Sequence, residues 1–474
     1  MLGAAELPST IRKTRACLLI FWELWERSGR DLGRPESLGF GVRWLGVMIS
    51  ELEVGSLGAV VDGGVVGSAC RFCGGRLGVS FVDLGMSPLC ESYVPAGRVN
   101  AMEAFYPLHA KVCEECLLVQ LEAFVSADEI FSEYAYFSSY SDSWVEHARR
   151  YVEMAVGRFG LDRSSLVVEL ASNDGYLLQH VVGRGIPALG IEPAGNVAEV
   201  ARARGIETIV EFFGVDLARR LVAEGRRADL LAANNVMAHV PDLNDFVGGI
   251  GMVLAPEGVA TIEVPHLLRL VESNQFDTIY HEHFSYFSVL SARNVLEAHG
   301  LELFDVQELK SHGGSLRLFA QPAATGTQPL SPRVEELAER ERALGFDTLD
   351  GHRSFSARVH ETKWRLVEFL IAKRREGKRI AGYGAPGKGN TLLNFCGIRT
   401  DLLEYTVDRN PYKQGMFLPG THIPIKHPDA LDQDRPDYIL ILPWNLKEEI
   451  VKQLAHTRQW GAQFIIPIPH VHVV

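Results

Sequence analysis

Short apolar runs alternate with longer stretches of helical periodicity through the middle of the chain. The runs occupy residues 166–170, 188–191, 229–233 and 259–265. Buried parallel strands have continuous apolar sequences of this kind, and helices form the crossovers between them. The pattern therefore predicts βαβ units that build a parallel sheet.

The sequence outside this region divides at changes in composition. The first 65 residues have no sustained periodicity, and we interpret them as a disordered leader or as the product of a misassigned start codon. Gly and Pro punctuate the next segment, and a further unit of strand and helix patterns follows a stretch rich in Pro, Thr and Gln. The predicted parts of the chain are 1–65, 66–130, 131–325 and 326–474.

The composition is that of a globular protein with several domains. The chain has 474 residues, of which 47% are hydrophobic and 22% are charged. Its net charge of −12 argues against a nucleic-acid partner, which requires a basic surface. No apolar run reaches the length of a membrane span, and an odd number of cysteines, seven, argues against a disulfide framework. We therefore expect a cytoplasmic protein without a membrane partner, and a monomer is compatible with these numbers.

Two CxxC pairs give the clearest metal signal. Thiolates at this spacing on a tight turn point the same way, and two such turns can enclose a tetrahedral zinc ion. Because the protein would fill all four positions, we predict a structural Zn²⁺ ion rather than a catalytic one. Ordinary buried or redox-active cysteines are the alternative. The candidate ligands are Cys70, Cys73, Cys113 and Cys116.

A turn with the sequence ELASNDG follows the first predicted strand of the sheet. A nucleotide needs close backbone approach and helix N-terminal amides at such a turn. Glu192 ends the next strand, where a carboxylate can accept hydrogen bonds from both ribose hydroxyls, or can instead cap the following helix. These features in this order indicate S-adenosylmethionine. The predicted contacts are Glu169, Asn173, Asp174, Gly175, Glu192, Asn234 and Asn235.

Four consecutive residues, Tyr280 to His283, carry a phenol, two imidazoles and a carboxylate. Each group can exchange a proton near neutral pH or once its pKa is shifted. A single histidine is more often structural than catalytic, but four such groups in a row favour catalysis. Downstream of a methyl-donor site, this tetrad indicates an enzyme that removes a proton from carbon and replaces it with a methyl group.

A second nucleotide-binding pattern lies in the last part of the chain. Gly382, Gly384 and Gly387 follow an apolar strand with dinucleotide spacing, and Asp408 stands where the acidic ribose ligand is expected. This pattern favours an alternative, an NAD-dependent oxidoreductase that acts on a nucleotide sugar. We rank it second because it leaves the nucleotide site predicted at the ELASNDG turn without a ligand. A non-enzymatic scaffold that binds a sugar nucleotide is a third hypothesis, which the intact tetrad disfavours.

The chain resembles the sugar C-methyltransferases of branched deoxysugar biosynthesis. The matching sequences are CRFCG, CEEC, YFSSYS, ELASNDGYLL, GIEP, YHEHFSYFS, SHGGSLR and GYGAPGKGNTLLN, and together they extend over all but the leader. The resemblance implies an α/β protein with a small N-terminal zinc-binding domain, a central Rossmann-like methyltransferase domain that binds S-adenosylmethionine, and a C-terminal Rossmann-like domain that contacts the nucleotide sugar. Ala171 departs from the pattern, which often has Gly there, and we expect this change to be tolerated.

The resemblance further implies a dTDP-linked 4-keto-6-deoxysugar as the substrate, with methylation at C3. In this scheme His283 takes the C3 proton, Glu282 orients or polarises the site, and Tyr280 forms a hydrogen bond near the keto oxygen. His281 is expected to lie behind these groups. The expected substrate contacts are Tyr140, Tyr286, His312, Gly384, Lys388 and Asn390, together with the segment 410–415.

Overall fold

A computed structural model describes residues 69–126 and 137–474 of the chain. The predicted leader lies outside these ranges, and so does the predicted boundary between the first two domains. Among the described residues, the helices are all too short or too polar to cross a membrane.

The region that carries the two CxxC pairs is built on short antiparallel strands. Its strands are β1 (Val79–Ser87), β2 (Val94–Pro95), β3 (Tyr106–Val112) and β4 (Val119–Gln120). β1 pairs with β3, and β3 pairs with β4. Buried residues alternate with partly exposed ones from Leu108 to Val112 in β3, so that one of its faces joins the core.

The central region contains the predicted parallel sheet. Its helices are α1 (Asp142–Phe159), α2 (Leu178–Val182), α3 (Gly195–Ala203), α4 (Val215–Ala223), α5 (Leu243–Val253), α6 (Leu267–Glu272) and α7 (Val289–Ala298). Its strands are β5 (Val167–Leu170), β6 (Ala188–Ile191), β7 (Glu207–Ile209), β8 (Ala228–Asn234), β9 (Leu254–Pro265), β10 (Ser285–Tyr286), β11 (Leu301–Leu309) and β12 (Ser315–Pro322).

Seven of these strands form one sheet in the order β11-β12-β9-β8-β5-β6-β7. The strands from β5 to β9 are parallel to one another, whereas β12 runs antiparallel to both of its neighbours. All four residues of β5 are buried, as expected for a central strand covered on both faces. The remaining strand, β10, instead pairs with β4 and so joins the N-terminal sheet.

The C-terminal region is a second α/β unit. Its helices are α8 (Arg333–Ala343), α9 (Leu349–Arg353), α10 (Phe355–Arg375), α11 (Gly387–Cys396), α12 (Ala430–Asp434) and α13 (Lys447–Gln453). Its strands are β13 (Ile380–Tyr383), β14 (Thr406–Val407), β15 (Met416–Phe417), β16 (Ile425–Lys426), β17 (Tyr438–Ile441), β18 (Gln463–Ile466) and β19 (His472–Val473).

Six of these strands form a sheet in the order β16-β14-β13-β17-β18-β19, which is parallel except between β18 and β19. The remaining strand, β15, pairs with β2 of the N-terminal region. The predicted α/β fold class, with two parallel sheets and a small N-terminal region, is confirmed. The helical residues between Arg333 and Arg375 are divided into α8, α9 and α10, because turns interrupt them after Ala343 and before Phe355.

Candidate active site

A cavity of about 780 Å³ lies at the carboxyl ends of the central parallel strands. Residues that end or follow β5, β6, β8 and β9 line it, and so do residues at the start of α11. The tetrad residues Tyr280, Glu282 and His283 line the same cavity. In open α/β sheets this end of the strands is where ligands bind.

Glu192 lines the cavity directly after β6. One of its carboxylate oxygens accepts a hydrogen bond from the Asn173 backbone N–H, and the other accepts one from the Ala194 N–H, both at 2.9 Å. Burial raises the pKa of Glu192, and these two N–H groups oppose that shift. Each carboxylate oxygen keeps further lone-pair capacity, so the group fits the two hydroxyls of a ribose in the cavity.

The turn between β5 and α2 contributes one predicted contact to the cavity and places two others behind it. The Asn173 side chain lines the cavity and accepts a hydrogen bond from the Ser138 N–H. Asp174 is fully buried, and it accepts a hydrogen bond from the Ser139 hydroxyl. Gly175 lies behind the turn, where Ile206 fills the space that a side chain would occupy. The two polar residues of the turn therefore tie the segment of Ser138 and Ser139 to the sheet.

The remaining predicted donor contacts divide in the same way. Asn234 and Asn235 line the cavity at the end of β8. Glu169 is buried within β5, beneath the cavity, beside the Tyr176 hydroxyl. Burial raises its pKa well above the usual value. Glu169 therefore supports the site from within the sheet and does not line the cavity.

His283 is oriented by a backbone carbonyl. Its Nδ1 lies 2.8 Å from the Thr278 carbonyl oxygen, which can only accept, so Nδ1 carries the proton. In the neutral ring, Nε2 is then the basic nitrogen. The imidazole ring is stacked at a tilt on Tyr280, with 4.0 Å between the ring centroids, and lies edge-on to His239 at 4.7 Å. The arrangement holds a proton acceptor in one orientation within a largely buried wall.

Glu282 has a carboxyl group that titrates unusually high. Burial raises its pKa, the nearby Glu91 carboxylate raises it further, and the value reaches about 8. A hydrogen bond from the Cys90 thiol and the charge of Lys413 act in the opposite direction. Near neutral pH this carboxyl group is therefore largely protonated, and it can donate a proton or a hydrogen bond to a ligand.

Three other predicted residues, His281, Tyr286 and Tyr140, are not among those that line the cavity. His281 faces β3, where its Nε2 is 3.2 Å from the Pro107 carbonyl oxygen. Tyr286 is buried in β10. Tyr140 is 72% exposed and stacks on Phe137. His312 belongs to the short turn after β11, and its side chain lies outside the described part of the structure.

Other protein atoms pack closely against two glycines in the loop that follows β13 of the C-terminal sheet. A side chain at Gly384 would meet Pro443, and one at Gly387 would meet the Cys90 sulfur atom. Asp408, at the end of the next strand, accepts hydrogen bonds from the backbone N–H groups of Ala385, at 2.6 Å, and of Asn410, at 2.8 Å. Its carboxylate thus braces the loop and is not among the residues that line the cavity.

Positive charge nevertheless faces the cavity beside this loop. Pro386, Gly387 and Lys388 line it at the N-terminus of α11, and Lys413 of the predicted segment 410–415 joins them. Burial lowers the pKa of Lys388, and the Asp277 carboxylate opposes this shift. Asn390 instead points back into the protein, where its side-chain amide donates to the Cys90 carbonyl oxygen. Two lysines and a helix N-terminus together fit an anion.

A polar network on the cavity wall was missed by the sequence analysis. Glu263, at the end of β9, accepts hydrogen bonds from His147, Ser311 and Arg317. Burial alone would raise its pKa, but the hydrogen bond from His147 and the charge of Arg317 outweigh it and lower that pKa to about 2. Acidic residues at two strand ends, Glu192 and Glu263, were the available signal. The aromatic wall at Phe212 and Phe213 was also missed, and its sequence carries no comparable signal.

The four predicted zinc ligands converge in the N-terminal region. Their sulfur atoms all lie within 4.8 Å of one another, and the separations are 3.6 Å between Cys70 and Cys116 and 3.4 Å between Cys73 and Cys113. A tetrahedral zinc–thiolate site has sulfur atoms about 3.8 Å apart. The Gln120 side-chain amide donates to the Cys70 sulfur, which favours a thiolate. The donor set therefore fits Zn²⁺, with no ligand position left for chemistry.

These features define a zinc-binding, S-adenosylmethionine-dependent methyltransferase. Three family models match the chain: "Putative zinc binding domain" at residues 70–131, "Methyltransferase domain" at residues 144–306 and "C-methyltransferase C-terminal domain" at residues 310–469. The chain is also 36% identical to the C-methyltransferase NovU of Streptomyces niveus over 405 residues, which cover 85% of this chain and 96% of that protein. The chain therefore belongs to the C-methyltransferase family, which confirms the predicted resemblance.

Solved structures of other methyltransferases match part of the chain. An S-adenosylmethionine-dependent methyltransferase from Clostridium acetobutylicum covers 39% of this chain and 92% of its own length, with 9% identity and a TM-score of 0.30. The magnesium protoporphyrin IX methyltransferase of Synechocystis, with bound S-adenosylmethionine, covers 38% of this chain and 81% of its own, with 13% identity and a TM-score of 0.28.

Proposed function

We propose that the protein transfers a methyl group from S-adenosylmethionine to C3 of a dTDP-linked 4-keto-6-deoxysugar. The single observation that carries this proposal is that Tyr280, Glu282 and His283 line the same cavity as Glu192 and Lys388. We call the part of the cavity at Glu192 the cofactor end and the part at Lys388 the anion end, and the tetrad supplies the groups for proton transfer. A sugar attached to a diphosphate matches this sequence of chemical groups.

His283 is the proposed base. Its Nδ1–H is committed to the Thr278 carbonyl oxygen, so Nε2 accepts the proton from C3 of the sugar. The hydrogen on a carbon next to a ketone is acidic enough for removal by imidazole when the developing enolate is stabilised. Removal of this proton makes C3 the nucleophile.

Glu282 and Tyr280 are the proposed donors to the enolate oxygen. The pKa of about 8 keeps the Glu282 carboxyl group protonated at neutral pH, and the phenol of Tyr280 lies against the base. Preorganised donors in a water-poor site stabilise a developing oxyanion strongly. As pH rises through about 8, Glu282 loses its proton, so we expect the rate of methyl transfer to fall on the alkaline side.

The two ends of the cavity position the reactants. Glu192 would accept hydrogen bonds from the ribose hydroxyls of S-adenosylmethionine, with Asn173 and Asn234 beside it. When bound, the cofactor supplies an electrophilic methyl group on a sulfonium. Lys388, Lys413 and the N-terminus of α11 would hold the diphosphate of the sugar nucleotide. Fixing both molecules in one cavity contributes a large part of the rate.

The rival hypothesis of an NAD-dependent oxidoreductase has less support. In a dinucleotide site the glycine loop leaves room for a pyrophosphate, and the acidic residue binds a ribose. Here Asp408 accepts hydrogen bonds from the loop itself and is not among the residues that line the cavity, so it is not placed to bind a ribose there.

The test uses the full chain with S-adenosylmethionine and the dTDP-4-keto-6-deoxysugar. We expect His283→Ala to reduce both methyl transfer and exchange of the C3 hydrogen with heavy water by about 10²–10⁴-fold, the usual contribution of a general base. Glu282→Gln should reduce methyl transfer while calorimetry still finds S-adenosylmethionine bound. His281→Gln is the matched control, because that ring faces β3 and should leave both reactions intact.

Product spectra decide the position of the new bond. A carbon–methyl bond at C3 supports the proposal. A methylated oxygen, or a His283→Ala variant that exchanges the C3 hydrogen at the normal rate, would overturn it.

A further inference from the structure

Two residues of the zinc-binding region reach the cavity, although neither is a predicted zinc ligand. Cys90 and Glu91 lie between β1 and β2 and line the wall beside the tetrad. The Cys90 side chain is buried, and its sulfur lies 3.5 Å from an oxygen of Glu282. Burial raises the pKa of this thiol well above its usual value. The thiol therefore stays protonated and donates, and the carboxyl oxygen accepts.

The position of this thiol is fixed from the opposite side. The side-chain amide of Asn390 donates to the Cys90 carbonyl oxygen. A side chain at Gly387 would place its first carbon 2.8 Å from the Cys90 sulfur. The absence of a side chain there leaves the thiol just enough room between α11 and Glu282. The contact with Glu282 is thus part of a packed junction among the three regions of the chain.

We propose that Cys90 is a positioning residue, whose thiol hydrogen bond stabilises the ionised form of Glu282. The charge of the neighbouring Glu91 acts in the opposite direction. The hydrogen bond from the thiol favours the ionised form of the carboxyl group, whereas the negative charge of Glu91 favours the protonated form. The proposal rests on the function proposed above, because it gives the zinc-binding region a part in setting the protonation of a group used in that reaction.

Other ionisable groups take part in the same balance. Lys413 favours the ionised form of Glu282, and its ammonium group also lies over the Tyr93 ring, 4.7 Å from the centroid. Tyr93 donates through its hydroxyl to the Ala385 carbonyl oxygen at 2.6 Å and remains protonated, because burial raises its pKa well above the usual value. The titratable and charged groups around Glu282 are Cys90, Glu91, Tyr93 and Lys413, with Tyr280 and His283 on its own loop.

The test compares two substitutions with opposite predicted effects. Cys90→Ala removes the donor and should raise the pKa of Glu282, whereas Glu91→Gln removes a negative neighbour and should lower it. Each shift should be about half a unit to one unit, the effect of one weak hydrogen bond or one partly screened charge. Infrared spectra over a pH series measure this pKa directly, through the protonated-carboxyl band that disappears in Glu282→Gln.

Cys396→Ala is the matched control, because this cysteine is also buried but lies at the end of α11, away from the cavity. It should leave the Glu282 band and the rate of methyl transfer unchanged. The alkaline limb of the pH–rate profile should follow the infrared titration in both cavity variants.

The outcomes separate this inference from the proposed function. Shifts of opposite sign in the infrared titration support the role of Cys90 and Glu91, whatever the rate does. If the infrared pKa moves but the pH–rate profile does not, the proposed role of Glu282 in catalysis is wrong, while the positioning contact stands. If Cys90→Ala leaves the infrared pKa unchanged, or moves it down, the inference is overturned.

Discussion

The two parallel sheets of this chain have similar glycine-containing turns after a central strand, β5 in one and β13 in the other. The acidic residues beside these two turns have different roles. In the central sheet, the acidic residue at the end of the next strand, Glu192, lines the cavity and receives two backbone N–H groups from behind. In the C-terminal sheet, the corresponding Asp408 turns toward its own glycine loop and receives the N–H groups of Ala385 and Asn410. One carboxylate faces a ligand space, and the other stabilises a loop.

The glycines do not distinguish these two turns. Ile206 fills the space beside Gly175, and Pro443 fills the space beside Gly384. Both glycines thus permit close packing within the protein. What differs is the surroundings of the acidic residue, which depend on segments that are distant in the sequence. A glycine-rich pattern therefore predicts the path of the backbone, and it leaves open what occupies the adjacent space.

Among the substitutions that test this comparison, Glu192→Gln is expected to have the largest effect. Both carboxylate oxygens accept backbone N–H groups, so an amide must place its NH₂ against one of these donors and also loses the charge. We expect the affinity for S-adenosylmethionine to fall by about 100-fold, as measured by calorimetry. Asp408→Asn is the control and should bind the cofactor normally. Equal losses in the two variants would remove the distinction between the two turns.

A smaller effect is expected for Lys388→Met, which removes positive charge at the start of α11. The KM for the proposed dTDP-sugar substrate should rise about tenfold, as expected for the loss of one charge-assisted hydrogen bond to a phosphate. The dissociation constant of S-adenosylmethionine should stay the same. The control is Lys378→Met, since Lys378 lies in the segment before β13 and pairs there with Asp437, which precedes β17. A change in cofactor affinity without a change in KM would place the anion end of the cavity elsewhere.

Asp408→Asn should affect stability rather than binding. The substitution sets an amide against one of two backbone donors in the loop before α11. The free energy of unfolding should fall by about 1–2 kcal/mol, measured with urea as the denaturant. Unchanged stability would mean that the hydrogen bonds from Ala385 and Asn410 to Asp408 contribute little to the free energy of unfolding.

The smallest expected effect is that of Ala171→Gly, at the turn after β5. Ala171 has φ = 52°, in the left-handed region that side chains disfavour. Relief of this strain is partly offset by the greater flexibility of glycine in the unfolded chain, so the gain in stability should be at most about 1 kcal/mol. Thermal unfolding measures it. The opposite exchange at a different position of the same turn, Gly175→Ala, should destabilise the protein, because Ile206 occupies the space beside Gly175. A destabilising Ala171→Gly would show that the left-handed turn costs the protein nothing.

Much of the fold followed from local patterns in the sequence. The apolar runs that became β5, β6, β8 and β9 are continuous because both faces of these strands are covered. The cysteine spacing indicated the metal site for an equally local reason. The tetrad was visible because its ionisable groups are adjacent in the sequence.

Other parts of the site depend on contacts between distant segments. Cys90 is 192 residues from Glu282, and nothing near it in the sequence indicates that the two side chains meet. The same is true of His147 and Glu263, which are 116 residues apart. The orientation of Asp408 depends on loop amides rather than on its position after a strand. Such contacts arise from packing, which periodicity and spacing do not encode.

The pairing of β4 with β10 links the metal centre to the wall of the cavity. β10 begins two residues after His283, and β4 begins three residues after Cys116. Removal of the ion with a chelator should therefore loosen the strand pairing next to His283, the proposed base, although the four cysteines do not line the cavity. Methyl transfer should then depend on zinc indirectly, through the geometry of the cavity wall.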